Sequence, residues 1–419
     1  MREMKDSGIG WVGQIPSTWS VIRGKYVFSN NKQVVGAKVE QYDRLALTLG
    51  GVIKRSKEDN EGLQPDKFDT YQILKKDELV FKLIDLQNVS TSRVGYSKYT
   101  GIVSPAYIVL KANENMNPRF AEKYYLMMWM NEVFNALGDA GVRSSLNAKE
   151  LLEICLLVPS LQEQQKIADY LDRKCGEIDS VMADLQEQID KLEQYKRSVI
   201  SEAVTKGLNS KVPMKDSGIA YIGKIPANWE TKRGKYIFTY VQKPTREDDG
   251  VITCFRDGEV TLRSNRREDG FTMSEKEIGY QGIDVGDLII HGMDGFAGAI
   301  GISDSRGKAS PVLNVLETDQ SKRYFMYLLR TMANEGVFEA LSTGIRVRTC
   351  DTNWGKIKNL FYIVPLLEEQ CRIVEHLDKK CAGIESIIVD KKHQLEVVEN
   401  YKKSLIYEYV TGKKEVSDE

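Results

Sequence analysis

Residues 4–29 read MKDSGIGWVGQIPSTWSVIRGKYVFS, and residues 214–239 read MKDSGIAYIGKIPANWETKRGKYIFT; 15 of the 26 aligned positions are identical. A second matching pair closes each copy. From Val158 the chain reads VPSLQEQQKIADYLDRKCGEIDS, and from Val364 it reads VPLLEEQCRIVEHLDKKCAGIES. Between these blocks the likeness thins to short echoes. LVFKLID at 79–85 lines up with LIIHGMD at 288–294, and Ser104-Pro105 with Ser310-Pro311. The offset is about 210 in the first block and about 206 in the last. The chain is thus one plan written twice: a near-identical head, a divergent middle of roughly 120 residues and a near-identical tail. Drift after duplication would erode likeness anywhere. Ends that share one job, with middles that do two different jobs, leave it at the ends.

The tails have the period of a long helix. After Pro159, apolar or small residues recur in steps of three and four at Ile167, Leu171, Cys175, Ile178, Met182, Leu185, Ile189 and Leu192, continuing to Tyr195 and Val199. The second tail repeats the seam at Ile373, Leu377, Cys381, Ile384, Ile388, Leu395 and Val398, then Tyr401 and Leu405, with Lys391 the one interruption. A period near 3.5 with charged residues on the other faces is a coiled-coil seam. A helix of ~40 residues spans ~60 Å. Its apolar stripe needs a cover, and the other copy is the obvious one. Gly207 and the polar stretch Asn209-Ser210-Lys211-Val212-Pro213 mark the end of the first tail.

The middles mix signals. Val251-Ile252-Thr253-Cys254-Phe255, Asp287-Leu288-Ile289-Ile290 and Ala106-Tyr107-Ile108-Val109-Leu110 read as strands, and Asp257-Gly258 and Asp269-Gly270 as hairpin turns. The spacing predicts a helix over 119–137, mirrored over 322–341, whose aromatic and Met residues belong to a core. Each middle reads as an α+β domain.

The 419 residues suffice for two or three cores, and 42% apolar with 28% charged residues is ordinary for a soluble globular protein. No apolar run reaches the ~18 residues of a membrane span, and the polar start is unlike a secretory signal, so the expected location is the cytoplasm. The six cysteines are scattered without a CxxC and are expected to be reduced. A net charge of −1 argues mildly against a nucleic-acid binder; a DNA ligand requires locally clustered cations.

A search for chemistry yields no recognisable catalytic motif. Gly301 to Lys308 has the wrong spacing for a phosphate loop and Ala309 where a hydroxyl belongs. Asn117-Pro118-Arg119-Phe120 lacks the second proline of an amino-methyltransferase motif, and no GxSxG occurs. Cys371, His376 and Cys381 lie five apart on a helix, so successive side chains diverge by about 140° and hold no metal together. The pattern favours a binding module over an enzyme.

Residues suited to base edges and phosphates are Arg, Lys, Asn, Ser and Thr. In the first middle the candidates are Lys54, Arg55 and Lys57, then Arg143, Ser144 and Ser145 within Gly141-Val142-Arg143-Ser144-Ser145. In the second they are Arg256, Arg263, Asn265, Arg266, Arg267, His291, Arg306 and Lys308, then Arg346 and Arg348 within Gly344-Ile345-Arg346-Val347-Arg348. The paired Gly-x-Arg pieces precede the tail in both copies. Glycine lets a loop approach a backbone closely, and arginine can meet phosphate or guanine.

Head, globular middle, then Val158-Pro159, Leu161, Glu163-Gln164 and Ile167 entering a long helix, and the same unit again through Val364-Pro365, Leu367, Glu369-Gln370 and Ile373, closely resembles the type I restriction–modification specificity subunits. The resemblance implies a fold of two mixed α/β target-recognition domains separated by two long antiparallel helices, with a pseudo-two-fold repeat. It divides the chain into 1–157 (head and first recognition domain), 158–208 (first spacer helix), 209–363 (second head and recognition domain) and 364–419 (second spacer helix and tail). Each middle would read one half of a bipartite, asymmetric DNA site. Two methyltransferase subunits would dock on the helices and bring S-adenosylmethionine for adenine-N6 methylation. Restriction subunits using ATP and Mg²⁺ would join them in phage defence. This chain itself is expected to bind no cofactor or metal and to perform no catalysis. The rival reading is a duplicated coiled-coil scaffold that binds proteins without DNA specificity.

Overall fold

The computed structural model describes residues 2–59, 67–84, 86, 93–137, 145–266, 278–341 and 352–417. Its α-helices are α1 (Pro118–Met130), α2 (Val133–Leu137), α3 (Ala148–Glu153), α4 (Leu161–Lys206), α5 (Lys322–Asn334), α6 (Trp354–Ile357) and α7 (Leu367–Val410). The chain forms two compact units, one of residues 1–186 and 393–419, the other of residues 187–392. Each unit therefore contains a head, a middle, the start of its own long helix and the end of the other.

In the first unit the head hairpin pairs Met4–Asp6 with Gln14–Pro16, and Ser20–Arg23 pairs with Cys155–Val158, tying head to tail. A four-stranded antiparallel sheet follows in the order Phe28–Ser29, Ile108–Ala112, Leu79–Phe81, Val94–Tyr96. The second unit has the same sheet in the same order: Thr239–Val241, Leu313–Glu317, Leu288–His291, Ile300–Ile302. Its head repeats the pairings of the first, with Glu230–Arg233 against Phe361–Val364.

The middles part company in the outer layer. The first unit adds a four-stranded sheet, Gly51–Arg55, Asp43–Thr48, Gly101–Val103, Gln72–Leu74, with one parallel pair. The second has instead two separate two-stranded ribbons, Ile252–Cys254 with Val260–Leu262 and Gln281–Ile283 with Gly307–Ala309. The Asp257-Gly258 turn closes the first ribbon, and Gly258 needs its glycine: φ is +92° and a Cβ would meet the Ile300 carbonyl at 2.9 Å. The Asp269-Gly270 turn lies outside the described residues.

The helix expected over 119–137 is interrupted. Glu132 takes φ +56° after α1, and the chain restarts as α2. In the second copy Gly336 at φ +74° ends the run after α5, and a 3-10 turn follows at Glu339–Leu341. The reversal drops Val133-Phe134 and Val337-Phe338 into their cores, with Phe134 and Phe338 each 1% exposed. The aromatic face of α1 is core: Phe120, Tyr124, Tyr125, Met127 and Met128 are buried.

The long helices pack antiparallel inside each unit. In the first, Tyr170 lies against Tyr409 at 4.5 Å between ring centroids, and Lys402 pairs with Asp179 at 2.5 Å. In the second, Lys196 pairs with Glu385, and Ile189 and Leu192 pack with Ile384 and Ile388. The partner helix is not the sole cover of the seam. Ile167, Leu171, Cys175 and Ile178 join the first unit's core beside Trp19 and Phe120, with Leu405, Ile406 and Tyr409 closing it. Ile373 and Leu377 do the same in the second unit beside Trp229 and Tyr324, with Ala203 and Val204. Leu185 and Cys381 are buried; Met182, Leu395, Val398 and Lys391 are half-buried. Tyr195 and Tyr401, which the 3.5 period carries onto the seam, are exposed, because a straight helix of 3.6 residues per turn drifts off that stripe.

The Glu-Gln pair after each proline explains how the tail docks. Gln164 is fully buried: its Oε1 accepts from the Asn117 N–H at 2.7 Å, and its Nε2 donates to the Asn115 and Pro159 carbonyls at 3.2 and 3.0 Å. Gln370 repeats this with the Ser321 N–H, the Gln320 side chain and the Pro365 carbonyl. One amide thus satisfies the loop before α1 or α5 and fixes the start of the long helix against it. Arg119 adds ion pairs to Asp169 and Asp172, and Arg323 its counterpart to Asp378.

Candidate nucleic-acid interface

In the loops just after the interior strands Leu79–Phe81 and Leu288–His291, one backbone attachment recurs in both units. In the first, the Leu146 N–H donates to the Leu83 carbonyl at 3.0 Å and Ile84 bridges to Ser145. The buried Arg93 guanidinium donates to the Ile84 and Leu86 carbonyls at 3.2 Å each. In the second, the Thr352 N–H donates to the Gly292 carbonyl at 2.8 Å, and the Thr352 hydroxyl donates to His291 O at 2.7 Å. Asn314, buried beneath, donates to the Ile290 and Thr352 carbonyls and accepts from the Trp354 N–H. The backbone N–H of Leu146 in one unit and that of Thr352 in the other therefore make the same attachment to the end of this strand.

Around the second loop several of the sequence candidates meet. His291 Nδ1 accepts from the N–H groups of Met293 and Asp294 at 3.2 and 3.0 Å. The proton of the neutral ring is thereby placed on Nε2. Burial pushes the His291 pKa down; Asp294 opposes this and Arg256 adds to it. Arg256 pairs with Asp294 at 2.8 Å. Arg266 pairs with Asp257 at 2.6 Å and Glu259 at 2.9 Å, and its guanidinium lies 4.2 Å from the Phe255 ring centroid. Asp294 so lies between Arg256 and His291, while Arg266 braces the adjoining Phe255–Glu259 turn, and Met293 beside Asp294 is exposed. Asp294 is followed by Gly295, where a Cβ would lie 3.0 Å from Thr352 Cβ; only glycine lets the loop close on Thr352.

Other candidates have different surroundings. Arg306 is held inside the second unit by Asp249, Asp284 and the Pro244 carbonyl, so its guanidinium staples three segments together and is not directed outward. Arg263 donates to Thr253 at 3.0 Å, and Asn265 to Thr261 at 2.9 Å, along the Val260–Leu262 ribbon. Lys308 sits in the Gly307–Ala309 strand with its N–H on the Gly250 carbonyl. In the first unit Lys54 and Arg55 lie on the edge strand Gly51–Arg55: Lys54 pairs with Asp43 at 2.6 Å and Arg55 with Asp59 at 2.9 Å. Lys57 reaches Glu40 and the Val39 carbonyl. Arg143, Ser144, Arg267, Arg346 and Arg348 lie outside the described residues.

Sequence reasoning missed Arg93, Asn314 and Thr352, which shape the loops. A single buried Arg, Asn or Thr carries no periodic signal. Among the described residues no group of three or more His, Cys, Asp or Glu is placed to hold a metal ion. None of their helices is long and apolar enough to cross a membrane.

Two repeated mixed α/β units, joined by paired long helices and each fastened in the same way just after the same interior strand, define a duplicated modular architecture. Residues 21–191 match the family described as type I restriction modification DNA specificity domain. The chain is 22% identical over 235 residues to the putative type I restriction enzyme MjaX specificity subunit of Methanocaldococcus jannaschii, covering 52% of each. It is 24% identical over 320 residues to the type I restriction enzyme EcoBI specificity subunit of Escherichia coli, covering 71% of this chain and 66% of that one. It thus spans about half the length of the first relative and just under two thirds of the second. A solved chain from work on complex assembly and conformational transition of the type I R-M system shares the fold at TM-score 0.66 and 13% identity, covering 96% of this chain and 99% of that one. Residues 21–191 thus match a type I restriction modification DNA specificity domain, and the chain as a whole is similar to type I specificity subunits.

Proposed function

We propose that this chain is the DNA-reading subunit of a type I restriction–modification complex, each unit recognising one half of a bipartite, asymmetric site. The single observation that carries the reading is the pairing of sameness and difference. The inner sheet and the Leu146 and Thr352 attachments repeat, while the outer layer is a four-stranded sheet in one unit and two ribbons in the other. Equal scaffolds with unequal outer layers suit two readers of unlike sequence. Two linked readers make the second half-site encounter intramolecular, so only sites of the right spacing bind well. Half-sites about one helical turn, ~34 Å, apart face one side of the duplex.

In this reading the division into 1–157, 158–208, 209–363 and 364–419 separates readers from spacer helices. The helices dock two methyltransferase subunits, which bring S-adenosylmethionine for adenine-N6 methylation. Restriction subunits using ATP and Mg²⁺ complete the complex, and the catalysis belongs to those partners. Arg256 and His291, which share Asp294, together with the adjoining Arg266 and the stretches holding Arg143 and Arg346, are the places where bases and phosphates are met.

Methylation mapping in a host carrying the intact operon tests this. The expected result is one methylated motif with two specified halves and an unread spacer. A continuous motif, or none, contradicts it.

A further inference from the structure

One exposed element is kept in both copies for which the internal contacts give no common reason. Arg23-Gly24-Lys25-Tyr26 and Arg233-Gly234-Lys235-Tyr236 each form the 3-10 turn that leads from head to middle. In both, the glycine is buried and the three side chains face solvent. Tyr26 is 67% exposed and Tyr236 72%, with Lys25 and Lys235 poised 5.6 and 4.9 Å from their ring centroids. Glycine has a packing reason: a Cβ would lie 3.3 Å from the Leu152 carbonyl in one copy and 2.8 Å from the Ile357 carbonyl in the other. The exposed Arg, Lys and Tyr have no such reason.

An internal ion pair does not account for them. In the first unit Arg23 and Lys25 both hold Glu153, at 2.6 and 2.9 Å. The matching position in the second is Asn359, whose amide donates to its own Gly355 carbonyl. Among the described residues Arg233 and Lys235 pair with no carboxylate; Arg233 lies over the Phe361 ring at 5.1 Å. The cations persist where their acid does not. A job outside the chain, common to both halves, is what remains.

The neighbours indicate the kind of partner. Ser20 and Ile22 become Glu230 and Lys232, an exposed ion pair at 3.0 Å. An apolar anchor for a shared protein partner would not exchange Ile22 for lysine. What stays is two cations and a phenol within four residues, each a donor to phosphate oxygen.

We infer that the Arg-Gly-Lys-Tyr turn is a phosphate clamp, one per unit, that grips the DNA backbone equally in both halves and selects no base. The inference rests on the DNA-reading function proposed above and adds to it a site that works alike on every sequence. In the second unit both cations, paired with no carboxylate among the described residues, face the backbone with their full charge. In the first, Glu153 offsets one of them.

The test uses the full chain with the subunits that co-purify with it, binding a duplex that holds the mapped site and a scrambled duplex of equal length, across a salt series. Arg233→Ser with Lys235→Ser is expected to lower the log–log salt slope by about 2, and Lys235→Ser alone by about 1. The same pair of changes at Arg23 and Lys25 lowers it by less. Cognate and scrambled duplexes lose affinity by the same factor, and the mapped motif is unchanged. An unchanged slope overturns the clamp. So does a loss confined to the cognate duplex, or loss of the co-purifying subunits from a variant that melts as the parent does. If the unmodified complex shows no salt-dependent duplex binding at all, the proposed function fails and the clamp with it.

Discussion

The indole N–H of Trp19 donates to Glu163 Oε2 across 3.1 Å, and Trp229 donates to Glu369 in the same way across 2.9 Å. Each Trp comes from a head and each Glu from the first turn of a long helix, so this bond joins the two blocks that repeat best. Both rings are essentially inaccessible, at 1% and 0% exposure. Trp19→Phe removes the donor and part of the ring, and is expected to destabilise the first unit by about 2 kcal/mol, with Trp229→Phe matching it in the second. Denaturant unfolding of the full chain measures this. Loss from one variant and none from the other would break the equivalence.

The buried glutamines make a sharper demand. Gln164→Leu keeps the volume but strands the Asn117 N–H and the Asn115 and Pro159 carbonyls that the amide now serves. A cost of about 3 kcal/mol is expected, more than for a typical surface change, because buried groups lose partners without gaining water. Thermal melts of Gln164→Leu and Gln370→Leu should both fall; an unchanged midpoint in either would count against the docking role.

Much of this fold was legible beforehand because its signals are periodic. The seam from Ile167 to Ile189 announced a long helix, and the 210-residue echo announced two units. Two things were not legible. The break at Glu132 depends on one residue adopting positive φ, which local propensity disfavours and the burial of Val133 and Phe134 rewards. Arg306 read as a ligand-facing cation because sequence shows charge and not partners; Asp249 and Asp284 lie 57 and 22 residues away. The candidate site was legible only in part for the same reason. His291 and Arg256 stood out by type, whereas Thr352, which braces their loop, looked like any threonine.

Thr352→Val tests that bracing. The change removes the hydroxyl's hydrogen bond to His291 O, shared with Gly292 O, while keeping the shape. The second unit's half of the motif should lose discrimination, with binding weakened by about 1 kcal/mol and the other half untouched. Competition binding with duplexes altered in one half at a time gives the measurement. Equal loss in both halves would contradict it.

Acid should loosen the same loop. His291 is held neutral, its folded pKa below the ordinary value, so its contribution is intact above ~6.5 and is lost as pH falls through the folded pKa. Asp294 and Arg256 face it with opposite effects. Protonation also abolishes Nδ1 as the acceptor for the Met293 and Asp294 N–H groups. Hydrogen exchange at these amides should quicken below pH ~6.5 beyond what intrinsic rates give, and His291→Asn should remove that pH dependence. An identical profile in parent and variant would contradict the assignment.

Asp172 behaves in the opposite range. Burial would raise its pKa, but Lys123 and Arg119 more than offset this, and the net shift is downward. Such a carboxylate stabilises the fold above its unfolded pKa, near 4, and the benefit is lost as pH falls through the folded value. Asp172→Asn should therefore lower stability at neutral pH and flatten the acid limb of the stability curve below pH ~4.

The most direct test of two independent readers is a graft. Residues 30–150 are replaced by the matching stretch of a relative with a different motif, and methylated sites are mapped in a host with the intact operon. The account predicts that one half of the motif changes, while the other half and the spacer length remain. A change in both halves, or a motif left as it was, would contradict it.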